Sequence, residues 1–182
     1  MMLANEIEDF LEFKCHPLGF FVYQRSMGSG TNRRIHVWLD TPRSRIGPEN
    51  DCHQHSFDLS SKVIIGKLEN EVLSFRESPL GKTLEFSVDY STNHSELTPT
   101  GKRGALDLVC SFQSPVNSEY HLPAGVIHRT KMIILPCITV VTTVERKFPI
   151  LSYGTNEKER PYLRRKVNHD EAREIETLLK TV

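Results

Sequence analysis

Between Gly19 and Lys147 the chain alternates short apolar and polar runs, broken every few residues by glycine, proline or asparagine, and few folds accommodate that pattern. GFFVYQRS and RRIHVWLD, separated by the turn segment MGSGTN, are rich in aromatic and β-branched residues. The polar segment TPRSRIGPEND leads into HQHSFDLSSKVIIGKLENEVLSF, which reads as two strands meeting near Gly66 and Lys67. KTLEFSVDY alternates along its length, whereas STNHSELTPTGKRG has the composition of a loop. ALDLVCSFQ, SEYHLPAG, VIHRTKMIIL and CITVVTTVERK are strand-like again. About ten short strands with helices only at the ends predict an all-β domain, either a closed barrel or a double sheet.

The two ends differ from this middle. Leu3, Ile7, Phe10 and Leu11 have helical spacing and predict a short amphipathic helix over 3–13. NHDEAREIETLLKTV predicts a second over 169–181, with Asn168 or Asp170 near its start and Ile175, Leu178 and Leu179 on one face. KFPILSYGTNEKERPYLRRK has no strong period. The expectation is a single domain over 1–182 with its core at roughly 18–148.

Charge and composition exclude several function classes. Lys plus Arg equals Asp plus Glu at 23 each, so no net field draws in nucleic acid or an anionic membrane. The basic run RPYLRRK does not change that balance. No stretch approaches eighteen uninterrupted apolar residues. Glu6, Glu8, Asp9 and Glu12 stand where a signal peptide would need a basic start and an apolar core, so a cytoplasmic location is expected. Four widely spaced cysteines without a Cys-x-x-Cys pair read as free thiols, with Cys110 and Cys137 expected to pack as small hydrophobes and Cys52 as a packing residue.

Two segments carry chemistry: Gly47 to His55 followed by Gly66, and Pro123-Ala-Gly125-Val-Ile-His128. His53 and His55 are two apart, so on a strand both imidazoles point to one face and can take adjacent positions on a divalent ion. Pro123 and Gly125 form a tight turn that launches a strand carrying His128 as a third ligand. Three neutral ligands on one side leave positions open for water, substrate or oxygen, which distinguishes a catalytic site from a closed structural one. Phe57, Leu59 and Ser61 continue the His53/His55 face as a cavity floor. His36 and Trp38 alternate on one face of RRIHVWLD and are candidates for its wall, and Thr130 shares the face of His128. Arg129 should point outward. Arg33, Arg34, Arg43 and Arg45 lie near the expected mouth and could meet a carboxylate or phosphate, although surface arginines are most often solvated. Tyr90, Tyr120 and His121 are acid/base candidates without a spacing argument.

These two segments resemble the paired motifs of the cupin superfamily, a Gly-x5-His-x-His-x3/4-Glu-x6-Gly run and a Gly-x5-Pro-x-Gly-x2-His-x3-Asn run. Gly47, His53, His55 and Gly66 match the first; Pro123, Gly125 and His128 match the second. The resemblance implies a jelly-roll β-barrel with a metal held by His53, His55 and His128. The departures matter. The motif's Glu falls at Leu59 or Ser60, Asn117 stands for the opening Gly, and Met132 replaces the closing Asn. Losing the Glu leaves a three-histidine set, which resembles the thiol dioxygenases among cupins in ligand type. Asp58, three after His55, faces the other way on a regular strand and would need a bulge to turn inward.

The reading that follows is a metal-binding cupin, favoured as a mononuclear iron dioxygenase acting on a small polar molecule. The alternatives are a non-catalytic binding or sequestering barrel and a metal-assisted isomerase or hydrolase. Fe(II) suits the first, while zinc and nickel accept the same imidazoles. Homodimerisation through the N-terminal strands is open.

Overall fold

The computed structural model describes residues 3–40, 51–90, 94–156 and 162–182. Within them run β1 (Lys14–Cys15), β2 (Phe21–Gly28), β3 (Thr31–Trp38), β4 (Cys52–Gln54), β5 (Phe57–Glu77) and β6 (Thr83–Tyr90). Next come β7 (His94–Ser114), β8 (Glu119–Leu122), β9 (Ile127–Glu145), β10 (Leu151–Gly154), β11 (Tyr162–Leu163) and one α-helix, α1 (His169–Leu179). The chain is all-β with antiparallel pairing. Neighbours run β9, β4, β10, β6, β7, β5 and back to β9, so the pairings close a circuit. β3, β2 and β1 extend outward from β9, β8 lies beside β5, and β11 beside β7. Gly47, Arg43 and Arg45 fall outside the described residues.

Two pairs of expected short strands are in fact single long ones. Residues 57–77 form one strand and 127–145 another, and the two pair along most of their length. The register shifts around Gly66, which has φ of 80°. A Cβ there would lie 2.5 Å from the Pro136 carbonyl oxygen and 2.6 Å from that of Ile134. Only glycine lets the backbones approach so closely, and the irregularity shifts the register without ending the pairing.

Composition misjudged two further segments. His94 to Gly101, expected as loop, is the first part of β7 and pairs with β6, whose Phe86 is fully buried. Its polar side chains suit an outer surface, and the neighbouring strand satisfies its backbone. Leu151–Gly154, in a stretch without a period, is β10, paired with both β4 and β6. Four residues are too few to show an alternation.

The expected N-terminal helix over 3–13 is replaced by two 3-10 turns, Leu3–Glu6 and Phe10–Glu12. Asp9 takes an extended conformation and accepts a hydrogen bond from the Leu11 N–H, which restarts the turn instead of continuing a helix. The apolar residues still pack: Leu3, Ile7 and Phe13 join Ile35, Val37 and the buried face of α1, formed by Ala172, Ile175 and Leu179. Asn168 caps α1 reciprocally with Glu171. No disulfide joins the cysteines, and Cys15, Cys52 and Cys137 are buried, but Cys110 is exposed on β7, against the expectation that it packs. No helix of the described residues is long and apolar enough to cross a membrane.

Gly66→Ala should therefore lower stability by about 2–4 kcal/mol, combining the left-handed penalty with the backbone clash. Gly101→Ala, with φ of 87° and nothing within 4 Å of the added Cβ, should cost about 1–2 kcal/mol. Urea denaturation of both variants checks the contrast.

Candidate metal centre

β4 is only three residues long, yet it is held on both sides: His53 is opposite Ser152 of β10 and opposite His128 of β9. His55 lies one residue beyond β4, in the turn before β5, so the two histidines are not on one regular strand as expected. Their rings nonetheless converge. Centroids are 4.8 Å apart for His53 and His55, 4.5 Å for His53 and His128, and 4.7 Å for His55 and His128.

Backbone carbonyls fix two of the rings. His53 Nδ1 is 2.8 Å from the Asp51 carbonyl oxygen and His128 Nδ1 is 3.0 Å from that of Val126, so both rings donate from Nδ1 and keep Nε2 as a ligand lone pair. The turn that delivers His128 is tied to the other motif. The Gly125 N–H donates to the His55 carbonyl at 3.0 Å, and the Asp58 carboxylate accepts from the Ala124 N–H at 2.9 Å and from Arg146 Nε at 2.8 Å. Asp58 thus braces the turn from outside and is not a ligand.

The donor set fits a divalent cation. One ligand nitrogen from each of His53, His55 and His128 lies within 4.8 Å of the others, and the Nε2 atoms of His53 and His55 are 3.1 Å apart. Two nitrogens about 2.0–2.1 Å from one ion, at angles from square to tetrahedral, are separated by about 2.9–3.4 Å. Burial holds all three imidazoles toward the neutral form, His128 down to about 3, which is the form that binds metal. Three imidazoles, delivered by two remote segments joined through a closed all-β circuit, meet at one point. This is the arrangement that the resemblance to the cupin motifs implied.

The motif departures now have physical explanations. Asn117, in place of the motif's glycine, has φ of 68°, a conformation asparagine tolerates better than most side chains, and its N–H donates to the Val63 carbonyl. Leu59 lines the cavity at one candidate position of the missing Glu, and Ser60 at the other faces outward to His121. Met132 packs against the cluster of Phe20, Trp38 and Leu68.

No protein-family model matches the chain, and no curated protein sequence matches it. Among solved structures it is similar to an oxalate decarboxylase variant of Bacillus subtilis, at 9% identity and a TM-score of 0.43, covering 77% of this chain and 29% of that one. It is also similar to an oxalate oxidase, at 13% identity and 0.43, covering 100% and 84%. A structural-genomics protein of Shewanella oneidensis follows at 14% identity and 0.37, covering 100% and 94%. The chain thus spans under a third of the decarboxylase's length.

The histidines open onto a cavity of about 350 Å³. His36, Trp38, Phe57, Leu59 and Thr130 line it, whereas Ser61 does not. Ser61 is buried, opposite Tyr120 in the β5–β8 pairing. Phe20 stacks between His16 and His36, with centroids 4.1 and 4.7 Å from theirs. Of the arginines, Arg33 pairs with Glu6 outside the cavity, Arg34 lines it, and Arg129 pairs with Glu71. Tyr90 and Tyr120 also line it, while His121 does not. Sequence reasoning missed His16 and Arg164 as lining residues: the first precedes a proline outside any periodic run, and the second belongs to the aperiodic tail.

His36 supplies a pH test free of the ligand set. Burial lowers its pKa from 6.5 to about 3. The unfolded chain therefore binds a proton that the folded chain refuses, and stability falls as pH drops below 6.5, at up to about 1.4 kcal/mol per pH unit for one such group. The urea midpoint should fall between pH 6.5 and 4.5, and His36→Leu should make that fall shallower.

Proposed function

We propose that this cupin is a metal-dependent oxidoreductase of the mononuclear non-haem iron dioxygenase type, acting on a small polar molecule. The supporting observation is the ligand set: His53, His55 and His128 converge on one wall of the cavity, and no carboxylate among the described residues joins them. Iron, when bound, supplies redox chemistry toward oxygen and substrate.

The chain's own residues account for the rest. His53 and His128 are oriented by the carbonyls of Asp51 and Val126, so their rings need no reorganisation on loading. Phe57 stacks on His55 at 4.4 Å, and Phe20 and Trp38 pack at 4.7 Å, giving an apolar wall that excludes water from the histidine face. His36, held by ring contacts with Phe20 and Trp38, stays neutral and offers a hydrogen bond to a polar ligand. Thr130 donates to the Asn70 side-chain oxygen at 2.8 Å, which fixes its hydroxyl beside the cavity.

Elemental analysis of the purified protein should find about one equivalent of iron per chain, with oxygen uptake that depends on an added small polar substrate. His53→Ala and His128→Ala should each abolish metal retention while leaving the circular dichroism of the sheet in place. Zinc in place of iron would move the reading to Lewis-acid hydrolysis or isomerisation. Tight retention of an unchanged ligand by a metal-free protein would make it a binding module.

A further inference from the structure

The cavity has a second polar feature besides the three histidines. Arg34 projects into it from β3, on the face that also carries His36 and Trp38, and Arg164 reaches it from the C-terminal segment. Each guanidinium carbon sits over an aromatic ring: Arg34 over Phe57 and Arg164 over Tyr90, both at 4.4 Å from the centroid. No carboxylate of the described residues forms an ion pair with either, and Arg34 Nε is buried without a hydrogen-bond partner. A buried donor left unmade is costly, and two like charges sharing one opening add to that cost.

The surroundings hold both groups in place. Phe57 contacts the Arg34 guanidinium and also stacks on His55, so one ring links the cation to the metal-site wall. Arg164 is fixed from both sides in sequence. Tyr162 and Leu163 pair with Ser95 and His94, and the Arg165 carbonyl accepts from the Cys15 N–H at 2.9 Å. Burial lowers the pKa of both guanidiniums, and Arg164 lowers that of Arg34 further; Arg34 falls to about 10 and so stays cationic at neutral pH. Glu145 is the acid nearest in effect to Arg34, but it does not reach bonding distance.

We propose that Arg34 and Arg164 form an oxyanion subsite in this cavity, binding the carboxylate or phosphate end of a small ligand whose other end faces the three histidines. The planar fork of a guanidinium matches both oxyanions, and a guanidinium held over a ring loses less freedom on binding one. The C-terminal segment is then part of the ligand site and not a mere appendage to the sheet. The proposal deepens the reading of the cavity as a substrate site and rests on it for the ligand's orientation.

Trp38, the chain's single tryptophan, lines the same cavity and reports occupancy by fluorescence. Malonate, inorganic phosphate and the neutral malonamide are titrated into metal-free and zinc-loaded protein. Malonate or phosphate should bind at least about tenfold more tightly than malonamide in both forms, as charge-assisted hydrogen bonds imply. Arg34→Met and Arg164→Met should each weaken the anion at least about tenfold, Arg34→Lys should recover part of the loss, and Arg33→Met should change nothing. Phosphate exceeding malonate would identify a phosphate ester as the ligand class, and the reverse a carboxylate. Equal binding of malonate and malonamide, or anion affinity unchanged in folded Arg164→Met, overturns the proposal. Anion binding by a protein that takes up no metal would keep the subsite and discard the metalloenzyme reading.

Discussion

One hydrogen bond couples the two halves of the histidine site: the Gly125 N–H to the carbonyl of His55. It fastens the turn that launches β9 onto the residue that ends the first motif, and His128 follows three residues later. The Asp58 carboxylate secures the adjacent Ala124 N–H, and Arg146 neutralises that carboxylate from outside. Close approach is required, and Gly125 permits it: its φ is 79°, and a Cβ would lie 2.7 Å from the Phe148 ring. Without this junction the β4–β9 pairing would rest on the single His53–His128 register position. The ligand geometry therefore depends on a backbone contact more than on the histidines themselves.

Burial sets the chemistry of the cavity. Neutral imidazoles, aromatic walls and a small volume make an environment in which any charge is felt strongly. His16, His36, His53, His55 and His128 are all held toward neutrality by desolvation, so the positive charge in the pocket comes from Arg34 and Arg164. The metal-ligand histidines and the two guanidiniums line one cavity, with Phe57 between His55 and Arg34.

Sequence legibility followed the range of the signals. Strands with several alternations, such as β2, β3 and β6, could be read directly, because a period of two needs only local residues. His53, His55 and His128 were legible because their spacing to Gly66, Pro123 and Gly125 is short and specific. The 3-10 turns at the N-terminus, β10, and the first part of β7 were not, because pairing and packing partners far along the chain decide them.

The amino-acid pattern alone determined that the chain would be β-rich, that three histidines were the candidate ligands, and that no glutamate stood at the motif position to join them. These are properties of residue type and short spacing, which the backbone periods convert directly into faces and turns. Tertiary structure alone decided that β10 supports β4, that Asp58 braces a turn instead of binding metal, and that Arg164 reaches the same cavity as Arg34. Each of those contacts joins residues 65 or more positions apart, and no local preference encodes which distant backbone will supply a partner.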